Sequence, residues 1–256
     1  MATPHASRRR RAPRGEGHLL REEILRACRE LVAELGSFDA VSVRAVAQRV
    51  GVSTPALYLH FADKDALVEA TCELVFAELD EEMQSAVKDL GEDPEPLAEL
   101  RANAEAYVRF ALSHPEEYRV VLMRPPGHVV DTKYILDTVT HQRLVKAIVR
   151  CQDAGLLAPD AAPLAVSLAL WGSVHGAVSL FLARPVLQEW ADPVEMSLAV
   201  ASVTVAGIAA IERLGYDSGA VLGGDLQAAD LAGRLDAALG PPSSVLHDLQ
   251  PPPLAT

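Results

Sequence analysis

Residues 42–67 read SVRAVAQRVGVSTPALYLHFADKDAL, from Ser42 to Leu67. The first part sets Val43, Val46, Ala47 and Val50 at the three- and four-residue spacings of a helix with one buried face. Ser42 is a fitting N-cap for it, because its hydroxyl can accept from an early backbone N–H. Gly51 stands where the helix must stop and the backbone must turn sharply. Ser53 or Thr54 caps a second helix with Pro55 in its first turn, and Leu57 and Phe61 are its inward residues. Asp63 caps the next. Two helices of about eight residues joined by a tight glycine turn make a helix-turn-helix, whose second helix can enter a DNA major groove. Val46, Val50, Leu57 and Phe61 lock the two helices together. That leaves Thr54, Pro55, Ala56, Tyr58, Leu59 and His60 on the outer side.

Outward from this stretch the pattern stays helical. Upstream, Ile24, Leu25, Cys28, Leu31, Val32 and Leu35 recur at helical spacing until Gly36. Residues 1–17 are rich in Arg, Pro and Gly and read as a disordered basic arm, with Arg8–Arg11 at its centre. Downstream, the helix capped by Asp63 is expected to reach about Leu90, before the acidic, proline-containing break Gly91–Pro96. Further helices are expected near 97–113, 115–122, 132–154, 161–184 and 192–214, and another at 225–239. No stretch shows sustained period-two alternation, so the fold class is all-α. The expected organisation is a basic arm (1–17), a three-helix domain that carries the helix-turn-helix (18–66) and a larger helical domain (67–216, with 67–90 connecting). A C-terminal extension (217–256) follows, Pro-rich and disordered from 241.

The composition agrees. Of 256 residues, 50% are hydrophobic and only 5% aromatic, which suits Ala- and Leu-rich helices rather than a β-sandwich. Three cysteines, Cys28, Cys72 and Cys151, are too few and too far apart for a disulfide scaffold or a zinc finger. They read as inert core residues. The net charge of −12 is unevenly spread: residues 1–65 carry eleven Lys and Arg against eight Asp and Glu, a local +3, and the remainder carries −15. A polyanion responds to the local field, because salt screens distant charge within about 10 Å. No secretory signal is read at the N-terminus, since Arg14, Glu16, Arg21 and Glu22 break the required apolar run. Leu164–Ala183 is long enough to span a bilayer, but its serines and His175 favour a core hairpin with 197–211. A cytoplasmic protein without a membrane partner is expected.

The stretch closely resembles the N-terminal domain of the TetR (tetracycline-repressor) family. The resemblance lies in VRAVAQRVGVS, then LYLHF, then Lys64 inside the next helix. The spacing is unbroken across Gly51-Val52-Ser53, Leu57-Tyr58, His60-Phe61, Lys64 and Leu67, and the likeness covers roughly residues 20–70. It implies a dimeric DNA-binding transcriptional regulator, most simply a repressor released from a double-stranded DNA operator, an inverted repeat, by a small lipophilic ligand. It also implies the site residues. Arg44 reaches a base edge or a phosphate. Thr54, Pro55, Ala56 and Leu59 face base edges, and Tyr58, His60 and Lys64 meet phosphates, with Ser53 in the same set. Leu59 departs from the bulkier or polar residues often found there and offers only apolar contact, as to a thymine methyl.

The C-terminal half must then hold two reading heads about 34–36 Å apart, one DNA turn. Leu164–Ala183 and 197–211 are apolar on nearly all faces and are expected to form a four-helix homodimer interface. Leu168, Gly172, Gly176, Leu180, Val203 and Gly207 are its candidate residues. Trp171, His175 and Gly176 form a WxxxHG pattern resembling the WHG subclass of C-terminal domains. Candidate ligand-binding residues are Tyr107, Phe110, Met123, Tyr134, His141, Trp171 and His175. Many of these can equally be core. No GxSxG, Walker or GxGxxG motif occurs, and His114, His128, Asp131 and His141 lack compact metal-ligand spacing. No catalytic residue, metal or cofactor is therefore expected. The competing reading is a helical small-molecule carrier or enzyme with an incidental helix-turn-helix. It would have no use for Tyr58, His60 and Lys64 exposed together.

Overall fold

In the computed structural model, residues 17–123, 138–216, 233–234 and 237–238 are described. The expected arm, Tyr134, and the expected helix at 225–239 apart from those two pairs lie outside them. The described residues form α-helices and no strands. In chain order these are α1 (Gly17–Leu35), α2 (Val43–Val50), α3 (Thr54–Tyr58), α4 (Lys64–Lys88), α5 (Pro96–Ser113), α6 (Pro115–Leu122), α7 (Val139–Asp153), α8 (Pro163–Ala183) and α9 (Pro193–Arg213). A 3₁₀ turn, Pro185–Glu189, joins α8 to α9.

The head is built by local signals. Ser42 Oγ accepts from the Ala45 N–H at 3.1 Å, Ser53 Oγ from Ala56 at 3.3 Å, and Asp63 Oδ1 from Ala66 at 2.8 Å. Each satisfies a donor that the first turn of a helix leaves open. Gly51 ends α2 at φ +79°, left-handed backbone that favours glycine, and its N–H bonds the Ala47 and Gln48 carbonyls. The core under α2 and α3 comprises Ile24, Cys28, Val32, Val46, Leu57, Phe61 and Leu67, all nearly or fully buried.

One expectation fails here. The second helix of the motif has five residues, not about eight. The N–H groups of Leu59 and His60 bond carbonyls three residues back, those of Ala56 and Leu57, so the helix tightens into a turn. Buried Leu57 and Phe61 pin both sides of that turn, and Asp63 already caps the next helix.

α4 runs through one continuous core, in which Leu67, Val68, Cys72, Phe76, Leu79 and Met83 pack with residues of both the head and the body, and Phe76, Leu79 and Met83 also face a cavity in the body. The body is a layered bundle in which α5 packs on α4, α7, α8 and α9, and α8 lies along α9. Ion pairs tie the layers. Arg29 of α1 bonds Glu78 of α4 at 2.5 Å and Glu117 of α6 at 3.1 Å. Arg143 of α7 forks onto the buried Asp80 of α4 at 2.9 and 3.2 Å. Arg150 of α7 bonds Glu99 of α5 and Asp93 of the preceding loop.

α8 and α9 are long and apolar enough to cross a membrane by length and composition alone. Each buries one face on the body, with Val166, Leu170, Val174, Val178 and Leu182 on α8 and Leu198 and Ile208 on α9. All three cysteines are buried, and burial pushes the Cys28 thiol up and that of Cys151 up to about 11.

Candidate DNA-reading surface and internal cavity

The outer side of the head gathers the residues singled out in the sequence. Arg44, on the first turn of α2, is exposed and forms no ion pair among the described residues. Arg49, one turn further on, is spent on Glu34 (2.7 Å) and Glu30 (3.3 Å) of α1. Ser53 and Pro55 are exposed, and Thr54, Ala56 and His60 half-buried. Tyr58 is 48% exposed and Leu59 85%, although Leu57 between the cap and them is fully buried. An apolar side chain that far into solvent gains nothing from the fold of its own chain. Lys64 is half-buried, and its ammonium donates to the Asp39 carbonyl at 3.1 Å. Two of its three N–H groups stay available. Arg21 lies over the Phe61 ring at 5.1 Å and closes the inner edge of the motif.

The second feature is a half-open cavity of about 480 Å³ in the body, walled by α4, α5, α7, α8 and α9 with Leu122 of α6. Phe76, Leu79, Met83, Leu100, Leu170 and Val205 set its apolar character. Of the seven ligand candidates, Tyr107, His141 and Trp171 line it. Phe110 does not: it is wholly buried in the core, stacked on His114 with ring centroids 4.6 Å apart. Met123 sits outside the wall at the end of α6, partly exposed, and Tyr134 lies outside the described residues. Asn103 and Thr140, which sequence reasoning did not single out, line the cavity too. Asn103 was detectable as one polar residue on the inward face between Leu100 and Tyr107.

His175 stands behind the wall rather than in it. Its Nδ1 lies 2.5 Å from the Tyr118 hydroxyl and 2.9 Å from that of Tyr107. Trp171 Nε1 donates to the Tyr107 oxygen at 3.1 Å, and the two hydroxyls are 3.1 Å apart. Burial holds the His175 imidazole below the ordinary histidine range. The ring is therefore neutral, and with its proton on Nε2 it accepts at Nδ1. Burial likewise pushes the Tyr118 phenol up to about 12 and that of Tyr107 well above its usual value, so both remain O–H donors. The network joins the cavity wall to α6, whose Glu117 grips Arg29 of the head.

The third feature is an uncovered stripe. Leu164, Leu168, Gly172, Gly176 and Leu180 recur every four residues on α8, and all are exposed. On α9, Met196, Ala199, Val203, Ala206 and Gly207 are exposed as well. Leu180 is 60% exposed and Val203 73%. A Cβ added to Gly172, Gly176 or Gly207 would meet nothing within 4 Å. No close approach inside the protomer therefore demands these glycines.

Among the described residues, no group of three or more His, Cys, Asp or Glu side chains could hold a metal ion.

Comparison with known proteins bears on both halves of the chain. Residues 24–71 match the family described as bacterial regulatory proteins, tetR family. Residues 100–216 match the family described as the tetracyclin repressor-like C-terminal domain. The class A tetracycline repressor protein from transposon 1721 of Escherichia coli is 44% identical over 55 residues, 22% of this chain and 25% of that protein. The HTH-type transcriptional regulator BetI of Stenotrophomonas maltophilia is 34% identical over 74 residues, 29% of this chain and 37% of its own length. The chain thus spans about a quarter to a half of the length of the curated relatives it matches. A solved structure from Rhodococcus sp. RHA1, of unknown function, superposes with a TM-score of 0.60 at 25% identity, covering 74% of this chain and 95% of the other. With the helix-turn-helix in the first matched segment and the cavity-walled bundle in the second, the chain belongs to the TetR family.

Proposed function

We propose that the protein is a homodimeric, cytoplasmic transcriptional regulator that binds an inverted-repeat operator and leaves it when a small lipophilic molecule enters the cavity. The observation that carries this reading is the outward face of the head. Arg44, Tyr58 and Leu59 stand in solvent on a domain whose Val46, Leu57 and Phe61 are buried. Residues 18–66 act as the reading domain and 67–216 as the sensing and dimerising domain, with 67–90 shared.

In this reading Thr54, Pro55, Ala56 and Leu59 face base edges. Arg44 meets a base edge or a phosphate, and Ser53, Tyr58, His60 and Lys64 fix the register on the backbone. The exposed stripe of α8 and α9 pairs with its copy. Apolar helix faces left in water favour association, and the glycines admit a partner backbone. Tyr107, His141 and Trp171 meet the effector, and the bonds of Trp171 and His175 with Tyr107 and Tyr118 couple it to α6, while Gly176, the third residue of the WHG-type pattern, lies on the outer stripe. The protein acts without a catalytic residue or cofactor.

Selection of random duplex DNA by the purified protein tests the reading. The expected result is an enriched inverted repeat, bound with a steep salt dependence and lost on Tyr58→Ala. No enrichment, even after unfolding and refolding to strip a co-purified inducer, would leave the alternative of a small-molecule carrier with an incidental helix-turn-helix.

A further inference from the structure

Resting on the reading of the cavity as an effector site, we propose that His141 meets the effector through the bare lone pair of its Nδ1, and that the effector is an uncharged, mainly apolar molecule with a hydroxyl or N–H group to donate there. The position of the ring proton decides this chemistry. His141 stands in the first turn of α7, is 7% exposed, and lines the cavity edge-on to Trp171, with ring centroids 6.3 Å apart. Its Nε2 lies 3.2 Å from Ser167 Oγ of α8. A serine hydroxyl has one proton, and Ser167 donates it to the Leu164 carbonyl at 2.7 Å. The Ser167 oxygen therefore accepts from His141. That puts the imidazole proton on Nε2 and leaves Nδ1 an acceptor. Burial holds the ring below the ordinary histidine range, so near neutral pH Nδ1 stays unprotonated.

Several other polar atoms of the wall are closed off or spent. Asn103 Oδ1 and Thr140 Oγ1 are unpaired but have almost no accessible surface. Tyr107 and Trp171 bond each other, and Tyr107 also bonds Tyr118 and His175. His141 Nδ1 has no hydrogen-bond partner among the described residues and is not one of the enclosed atoms. It keeps accessible surface, on a ring that lines the cavity. Water meets such an atom when no ligand is bound. A ligand that fills the space strips that water, and then either donates to Nδ1 or leaves a buried acceptor unpaired.

Charge and shape narrow the class further. The described wall contains no Asp, Glu or Lys, and its Arg101 is solvent-exposed. A cationic ligand would be desolvated without a counter-charge. A carboxylate at His141 would set its own lone pairs against that of Nδ1. Leu79, Met83, Leu100, Leu170 and Val205 make most of the remaining surface aliphatic, which suits an apolar body.

The test is displacement of prodan, an uncharged fluorescent dye with no hydrogen-bond donor, from the full-length protein. The competitors are decanol, its isomer nonyl methyl ether, decanoate and decylammonium. Decanol should compete about fivefold better than the ether, the scale of one buried acceptor met rather than left open. It should also compete better than either ion. In His141→Phe the alcohol and the ether should fall within about twofold of each other. Two-bond nitrogen–proton NMR of the unaltered protein, with His141 assigned from its backbone, should place the ring proton on Nε2. Equal competition by alcohol and ether in the unaltered protein would overturn the proposal, and so would tighter binding of either ion than of decanol. A proton on Nδ1, or the full alcohol preference persisting in His141→Phe, would equally remove His141 as the acceptor. The competition and the NMR need no variant, so misfolding of His141→Phe cannot hide the answer. The cavity itself is tested by Ala104→Phe, which should weaken dye uptake. No uptake by the unaltered protein, or equal uptake by Ala104→Phe, would overturn the effector site and the His141 contact with it. Uptake weakened by Ala104→Phe, with an alcohol-to-ether ratio near one, would overturn the His141 contact alone.

Discussion

Lys64 shows how one side chain can serve the fold and still keep donors for the phosphate contact proposed for it. Its ammonium already donates to the Asp39 carbonyl, which holds the end of the side chain in place with two N–H groups to spare. Lys64→Ala should therefore weaken binding to all duplexes alike and lower the salt slope by about one unit, measured by titration at several salt concentrations. A loss confined to particular base changes would contradict the phosphate role. His175 gives a second residue-level prediction. Its folded-state pKa lies below the 6.5 of a free histidine, so the unfolded chain binds the proton more readily. The stability it contributes is fully present above pH 6.5 and is lost as the pH falls towards the folded value. Melting followed by circular dichroism should show a lower Tm at pH 5.5 than at pH 7.5. His175→Gln should shrink that difference, leaving the part that comes from His141, whose pKa is shifted the same way.

The elements of the head were legible in the sequence because their signals are local. Ser42, Ser53, Asp63 and Gly51 each act within three or four residues of themselves, so spacing alone placed the ends of α2, the start of α3 and the start of α4. The length of α3 was not legible. Two neighbouring anchors, Leu57 and Phe61, tighten it before a full helix can form, and that is a packing effect. The cavity was harder still. Tyr107 and Phe110 sit on one helix that is buried on nearly all sides, so periodicity cannot say which of them meets a void and which meets His114. Gly51 carries the element-scale prediction. Gly51→Ala forces a side chain onto φ +79°, at a cost of roughly 1–2 kcal/mol. Chemical denaturation should register that loss although no atom lies within 4 Å of the added methyl. An unchanged midpoint would show that the turn can relax.

At the scale of the whole molecule, the uncovered faces of α8 and α9 carry the dimer proposed above. Gly172 and Gly176 have room around them inside the protomer, so a bulky substitution there should spare the fold of the single chain. Gly176→Leu should retain helical content but dissociate the dimer at micromolar concentration in sedimentation velocity. A normal dimer would show that close approach at this position is unnecessary. The stripe was legible in advance because leucine and glycine every four residues is a helical face, and its exposure has now been located on the outside of the bundle.

The 25 residues of α4 run through the one core that joins head and body: its first turns hold the head, and Phe76, Leu79 and Met83 wall the cavity. At 1.5 Å per residue it is about 37 Å long. Pivoted at one end, a tilt of about five degrees sweeps the other end through about 3 Å, close to the rise of one base pair. A stiff beam of that span magnifies motion geometrically. In the function proposed above, a side-chain-sized adjustment around the cavity would then be enough to slip a reading head off its step on the duplex, without any change in the head itself.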